Sequence, residues 1–454
     1  MESISNYKRI HCLGIGGIGL SAVAEILQND GHIVSGTDLN ETDVTRHLES
    51  VGIRVVYEHR ADNVDGVDAV VYSAAVSAEK PEMVRAKELG IPCFSRAEVL
   101  GMIMEHYKNS VAICGTHGKT TVTSMTSLIL RNAKYKPTIL VGGNLDEING
   151  NVEIGENEYF VTEACEYMDS FLNLKPKIEI ILNIDSDHLD YFKDVEHIAK
   201  SFDKFAKLVP QNGAVIAYDA NPFVKSVISG LPNAITFGLS ESCDYYASDI
   251  NFNNDGMPQF HVNHGGKALC QIELAVPGEH NILNALAAFA CCHIQGVSVE
   301  DIVKTLDGYT GTQRRFDLLG ETSTGIRIVD DYAHHPTEMT ATLKTAREMD
   351  FDRIICVFQS HTYSRTKALL PQFVEALKLC DKAIVADIYA AREKNTFGIS
   401  GKDIADQLDG GEYYPSFEQI EARVREIAQP NDLIITMGAG NINCIGPKLC
   451  VDAK

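Results

Sequence analysis

The chain has 454 residues, more than one ordinary core organises, so several domains are expected. Its 45% hydrophobic and 22% charged content is that of a globular protein in water, and a formal net charge of −22 argues against a polyanion such as DNA as partner. Twelve cysteines form no C-x-x-C pair, and several (Cys12, Cys114, Cys356) lie inside apolar runs, which reads as buried free thiols in a reducing cytosol. Met1–Tyr7 is polar, without a signal-peptide core, and no stretch approaches membrane-spanning length, so a cytoplasmic protein without a membrane partner is expected.

Strand-like segments Arg9–Leu13, His32–Thr37, Ile53–Tyr57 and Asp68–Ser73 open the chain. Between the first two, Ile18, Ala22, Val23, Ile26 and Leu27 recur at helical spacing and Gly31 closes the helix. This alternation predicts a parallel sheet with crossover helices, ended by a polar linker at Glu105–Asn109. A second α/β unit starts at Val111, with strand candidates Thr138–Val141, Tyr159–Thr162, Ile178–Asn183 and Ala214–Ala217. Tyr245–Val276 alternates like antiparallel strands, with Asn253-Asn254-Asp255-Gly256 as a hairpin turn, and His280–Ile294 is a strongly apolar helix. The loop Gly308–Gln313 marks a second boundary, after which Ile326–Val329, Ile354–Phe358, Ala383–Ala386 and Leu433–Met437 alternate with helical patterns. The expected fold is α/β in three domains: Rossmann-like at 1–108, P-loop ATPase-like at 109–312 and Rossmann-like again at 313–454.

Two loops carry the chemistry. Gly14-Ile15-Gly16-Gly17-Ile18-Gly19 fits G-x-G-x-x-G between a strand and a helix, and Asp38 ends the next strand, where a ribose-reading acid belongs. Alone, that pattern fits an NAD-dependent dehydrogenase, but the same loop holds the pyrophosphate of a UDP-sugar equally well. Gly115-Thr116-His117-Gly118-Lys119-Thr120-Thr121 ends like a P-loop, although Ile113 stands where the first glycine of the full pattern belongs. Its lysine suits β/γ-phosphates and its Thr120 hydroxyl a Mg²⁺. A chain with two phosphate loops reads as a nucleotide-driven ligase or transferase. A P-loop ATPase that joins no substrates is the other class it fits.

Carboxylates and histidines follow. Glu163 ends a strand and Asp185-Ser186-Asp187-His188-Leu189-Asp190 follows another, both at sheet ends where open α/β sheets place ligands. Read blandly, they are solvated loop acids and a capping histidine. Asn281 and Asn284 share one helical face and suit either an adenine edge or a helix start. His335-Pro336-Thr337-Glu338 reads as a capped helix N-terminus.

Taken in order, Gly14–Gly19, Gly115–Thr121, Glu163–Glu166, Asn183–His188, His280–Asn284, Arg314–Asp317, Asp330–Glu338 and His361–Arg365 resemble the Mur ligases and their folylpolyglutamate synthetase relatives over essentially the whole chain. Asp331-Tyr332-Ala333-His334-His335-Pro336-Thr337-Glu338 resembles the alanine-adding branch. The murein-tripeptide recycling branch shares much of this but is less well matched at 358–365. The resemblance implies ATP-driven joining of L-alanine to the lactyl carboxylate of UDP-N-acetylmuramate through an acyl phosphate, in peptidoglycan precursor synthesis. It assigns the UDP-sugar to Gly16, Gly17, Ile18, Gly19, Asp38, Ser73 and Ala74. It assigns ATP to Gly115 through Thr121, with Asn281 and Asn284 on adenine, Asp331 on ribose and Arg315 crossing to the γ-phosphate. Mg²⁺ would be held by Thr120 and Glu163, and a second ion, Mg²⁺ or Mn²⁺, by His188, with Lys204 a weak candidate for a carbamylated ligand. Lys119, Arg315, His188 and His334 would be catalytic, and Tyr332, His334, His361 and Arg365 would hold the amino acid. The chain departs from the pattern at Ser360 and Thr362, which replace a common Pro and Arg and leave Arg365 as the main carboxylate anchor.

Overall fold

The alternation at the start of the chain folds into five parallel strands: β1 (Arg9–Leu13), β2 (Ile33–Thr37), β3 (Arg54–Val56), β4 (Ala69–Tyr72) and β5 (Cys93–Ser95). Their order is β3-β2-β1-β4-β5, so the chain reverses direction across the sheet at β1, beside which the glycine loop leaves. The computed structural model describes residues 3–73, 75–188, 191–391 and 393–450. Two compact units make up the chain, residues 1–184 with 196–236, and residues 185–195 with 237–454.

The first unit also holds β6 (Asn109–Cys114), β7 (Thr138–Leu145), β8 (Gly150–Glu153), β9 (Tyr159–Glu163), β10 (Ile178–Ile181) and β11 (Ala214–Tyr218), ordered β11-β10-β6-β9-β7-β8. All pairs in this run from β10 to β7 are parallel, and β8 closes the edge antiparallel. The helix Lys119–Asn132 that leaves β6 buries every residue from Thr120 to Leu130, which suits a crossover packed deep in the layer.

In the second unit, β12 (Ala234–Gly238), which spans the division between the units, pairs through Phe237 and Gly238 with β13 (Tyr245–Phe252). The meander continues antiparallel through β14 (Pro258–His264) and β15 (Lys267–Glu273). The expected hairpin turn is present: Gly256 donates to the Asn253 carbonyl at 3.0 Å with φ +70, a value that suits glycine. A third sheet comprises β16 (Asp317–Glu321), β17 (Arg327–Asp331), β18 (Arg353–Phe358), β19 (Lys382–Val385), β20 (Glu412–Tyr413) and β21 (Asp432–Met437), in the order β16-β17-β21-β18-β19-β20. Its central strands are apolar on both faces. Ile354, Cys356 and Phe358 enter one core with Leu433, Ile435 and Met437, while Ile355, Val357 and Ile434 enter the other. That period of two explains why these strands read as continuous apolar runs.

The three sheets agree with the α/β class expected from the sequence. Two bounds moved in ways that matter for the site. Strand β10 stops at Ile181, freeing Asn183 to turn towards the phosphate loop, and β17 runs on to Asp331. All twelve cysteines are free. Among the described residues no helix is long and apolar enough to cross a membrane.

Candidate active site

The glycine loop in the first unit is built from backbone amides. Gly14, at φ +76, and Ile15 both donate to the Thr37 carbonyl, at 2.8 and 3.2 Å. Gly16 donates to Asp38 Oδ2 at 2.9 Å, and a Cβ there would come within 2.8 Å of the same oxygen. Asp38, expected at a ribose, spends Oδ1 on the amides of Leu39 and Asn40, so in this state it ties the loop together. Gly17 caps the helix Ile18–Asn29 without a side-chain bond, a helix start of the kind that suits an anion. Ser73 Oγ would lie 3.3 Å from a Cβ on Gly14, beside the loop, and Ala74 lies outside the described residues.

Sequence reasoning missed a cation here. Arg96 Nη1 would be 3.2 Å from a Cβ on Gly19, so a guanidinium lies against the loop. Its signal was hidden because Ser95-Arg96-Ala97-Glu98 reads as a helix start, and Ser95 and Glu98 do form a capping box. A buried polar chain supports the strand end below. His11 Nε2 meets Thr37 Oγ1 at 2.9 Å, Asn63 donates to Thr37 Oγ1 and Glu82, and His59 meets Glu82 at 3.0 Å. Burial lowers the His11 imidazole to about 4, so it is neutral in this chain of bonds.

The second loop leaves β6 through Gly115 at φ +137 and enters its helix through Gly118 at φ +86. A Cβ on Gly115 would stand 2.9 Å from Leu182 Cβ, so close approach to the segment just after β10 demands glycine there. Asn183 clamps the turn. Its carbonyl accepts from the Thr116 amide, its Oδ1 from the His117 amide at 2.8 Å, and its Nδ2 donates to the His117 carbonyl. Lys119, Thr120 and Thr121 form the first helical turn. Glu163 ends β9 one strand away, in register with Ile113, and its Oε1 accepts from the Gly142 amide at 2.6 Å. A hydroxyl and a carboxylate, both oxygen donors, suit Mg²⁺. Lys204 stands exposed in the last turn of the helix Val195–Ala206.

In the second unit the segment after Ile184 is fastened by three ties. Thr337 Oγ1 donates to Asp185 Oδ2 at 2.7 Å, His335 Nε2 donates to the Ser186 carbonyl at 3.0 Å, and Arg365 Nη2 meets Asp187 Oδ1 at 2.8 Å. Burial pushes the Asp187 carboxyl up, but Arg365 and the neighbouring histidines more than reverse this and hold it well below the usual carboxylate range. Arg365, expected as the anchor for an amino-acid carboxylate, therefore already has one buried partner. His188 follows at φ +52, with its amide on Asp187 Oδ1.

Around Arg365 the structure gathers most of the expected amino-acid pocket. The His334 ring lies 6.0 Å from that of His361 and 5.4 Å from that of Tyr332, centre to centre. Burial lowers His334 to about 4, with Glu338 opposing. Its Nδ1 donates to the Tyr332 carbonyl at 3.0 Å, so the neutral ring keeps Nε2 as an acceptor. The guanidinium groups of Arg314 and Arg315 lie 4.8 and 5.2 Å from the Tyr332 ring centre. Arg314 also pairs with Asp330 at 2.9 Å, and both Arg314 (φ +63) and Phe316 (φ +48) hold backbone strain around Arg315. His335 caps the helix Pro336–Arg347 in a capping box with Glu338, as its sequence reads.

Three expected nucleotide contacts are occupied internally. Asn281 Nδ2 donates to the Pro277 carbonyl, and Asn284 Nδ2 to Asn281 Oδ1. Asp331 is buried; its oxygens accept from the Ala333 and Phe316 amides and the Thr342 hydroxyl, and burial raises it to about 6.

Residues 9–108 match the Mur ligase family catalytic domain, residues 113–292 the Mur ligase middle domain and residues 314–440 the Mur ligase glutamate ligase domain. A UDP-N-acetylmuramate–L-alanine ligase of Acetivibrio thermocellus is 49% identical over all of this chain and 99% of its own length. The crystal structure of the UDP-N-acetylmuramate–alanine ligase MurC of Thermotoga maritima superposes with a TM-score of 0.82 at 29% identity, covering 97% of this chain and 98% of that one. A murein peptide ligase of Psychrobacter arcticus shares the fold, with a TM-score of 0.72 at 23% identity over 97% of this chain and 98% of its own. With the relative aligned from end to end and all three domains matched in order, this chain belongs to the Mur ligase family.

Proposed function

We propose that this chain joins L-alanine to the lactyl carboxylate of UDP-N-acetylmuramate at the expense of ATP, a step of peptidoglycan precursor synthesis, in the cytoplasm. The observation that carries this reading is the end-to-end 49% identity with a ligase of that name. The site residues agree with it in kind. In the proposed division, residues 1–108 hold the UDP-sugar, 109–312 the nucleotide and 313–454 the amino acid.

Amide formation from a carboxylate and an amine is uphill in water, so the acid must be activated. The lactyl carboxylate attacks the γ-phosphorus, ADP leaves, and an acyl phosphate forms. The alanine amine then attacks the acyl carbon, and phosphate departs from the tetrahedral intermediate as the amine loses its proton. Lys119 and Arg315 neutralise the transferring phosphoryl group, and the amides of Gly115–Thr121 cradle the remaining phosphates. Mg²⁺ on Thr120 and Glu163, with Mg²⁺ or Mn²⁺ at His188, would supply further charge neutralisation when bound. Asn281 and Asn284 face adenine, and Asp331 the ribose, only after exchanging the internal bonds they hold here. Neutral His334 offers Nε2 to the alanine ammonium, while Arg365 meets its carboxylate, and Tyr332 and His361 bound the methyl. Gly16, Gly17, Ile18, Gly19, Asp38 and Ser73, with Arg96 beside them, take the UDP pyrophosphate and ribose.

The acyl phosphate is open to a direct test. With ATP and UDP-N-acetylmuramate but no amino acid, hydroxylamine should be converted to a hydroxamate. If neither a hydroxamate nor positional oxygen exchange within ATP is detected at high enzyme concentration, this mechanism fails.

A further inference from the structure

The phosphate-loop lysine is folded back on its own loop. Lys119 Nζ donates to the carbonyls of Gly115, at 2.5 Å, and Thr116, at 3.1 Å, and contacts both oxygens of Glu166, at 3.1 and 3.4 Å. Two carbonyls and one carboxylate engage all three ammonium hydrogens. The Glu166 side chain is 2% exposed and meets Lys119 as its ion-pair partner. Burial alone would lower the Lys119 ammonium, and Glu166 first, then Cys165 and Glu163, together more than reverse that, so the lysine stays charged.

The turn that places Glu166 is strained. Met168 and Asp169 are consecutive non-glycine residues at φ +54, in the left-handed region. Surrounding bonds impose this shape. The Asp169 amide donates to the Glu166 carbonyl at 2.9 Å, Ser170 Oγ and the Phe171 amide donate to the Cys165 carbonyl, and Ser201 Oγ donates to the Asp169 carboxylate. Phe171 is wedged between Phe202 and Phe205, at 5.2 and 4.6 Å between ring centres. Strain so firmly imposed delivers one carboxylate to one lysine.

We propose that Glu166 is a positioning residue that parks the Lys119 ammonium on the loop carbonyls, so that nucleotide phosphate must take the lysine from a carboxylate. This rests on the nucleotide reading of Gly115–Thr121. Its consequence is a loop that binds nucleotide less tightly than its donors allow and releases ADP sooner. Glu166→Gln keeps the shape and removes the competitor. By calorimetry the Kd for ADP should fall about tenfold, with the KM for ATP and kcat falling together as ADP leaves more slowly. In a Lys119→Ala background the same substitution should change the ADP Kd by less than about twofold, because the carboxylate acts through the lysine. Glu166→Asp, withdrawn by one carbon, should be intermediate.

An ADP affinity in Glu166→Gln equal to or weaker than that of the native protein, with unchanged thermal melting, would overturn the proposal. Equal changes in both backgrounds would overturn it too, since plain repulsion between Glu166 and phosphate would then suffice. Loss of folding in both Glu166 variants would reduce the residue to a structural tie and sink it as well. If Lys119→Ala left ADP binding and ligation intact, the nucleotide reading of the loop would itself be wrong, and the proposal would fall with it.

Discussion

Lys119→Ala is expected to abolish ligation while leaving UDP-N-acetylmuramate binding nearly unchanged. The ammonium is the one flexible cation of the Gly115–Thr121 loop, and the glycine loop assigned to the sugar nucleotide leaves a different sheet. A γ-phosphoryl group that loses a charge-assisted partner typically loses several kcal/mol of transition-state stabilisation, about 10²-fold or more in rate. The structure adds a second effect. Glu166 would be left buried and unpaired, a defect that typically costs about 3–5 kcal/mol, so the variant should also melt at a lower temperature. Lys119→Ala combined with Glu166→Gln should recover the melting temperature but not ligation. Calorimetry with UDP-N-acetylmuramate checks the rest. Loss of sugar-nucleotide binding in the double variant would show that the two phosphate sites are not separate.

Arg365→Ala should raise the KM for L-alanine by about 10²-fold or more, with little change for ATP or the sugar nucleotide. A guanidinium meets a carboxylate through two parallel bonds that Lys does not reproduce, so Arg365→Lys should recover only part of the loss. The pairing with Asp187 separates binding from stability. Arg365 holds the Asp187 carboxyl low, so the pair's contribution to stability is full above about pH 4 and is lost as pH falls towards the depressed folded value. Arg365→Ala should weaken that acid dependence, leaving only the share of the neighbouring histidines, and lower the melting temperature. Asp187→Asn in addition should restore melting without restoring the KM. An unchanged KM in a folded Arg365→Ala variant would put the amino-acid pocket elsewhere.

The parts of this site that the sequence made legible are local ones. A glycine loop between strand and helix, a lysine at a helix start and a Pro-x-Glu cap after His335 each declare themselves within a few residues, because turn geometry and capping act at short range. The central strands β18 and β21 were readable because both of their faces are buried. The short strands β5, β8 and β20 were not, since none carries the pair of valines that marks the equally short β3 and β4. Long-range partners were equally hidden. Nothing near Lys119 in the chain announces Glu166, nothing near Gly19 announces Arg96, and nothing near Asp187 announces Arg365. The first depends on β9 lying beside β6 in one sheet, and the other two on segments that meet only once the chain has folded. Asp331 shows the converse: a motif residue expected at a ligand is, in this state, a buried acid holding the Arg314–Phe316 turn.

The central claim is that phosphate release is tied to the joining of two particular substrates. Phosphate release should be measured across a matrix of UDP-sugars and amino acids, with glycine, L-serine and D-alanine beside L-alanine. Sustained release is expected only where ATP, UDP-N-acetylmuramate and an amino acid are all present, with L-alanine the best. Release that ignored the sugar nucleotide, or that needed a tripeptide in place of L-alanine, would contradict the account.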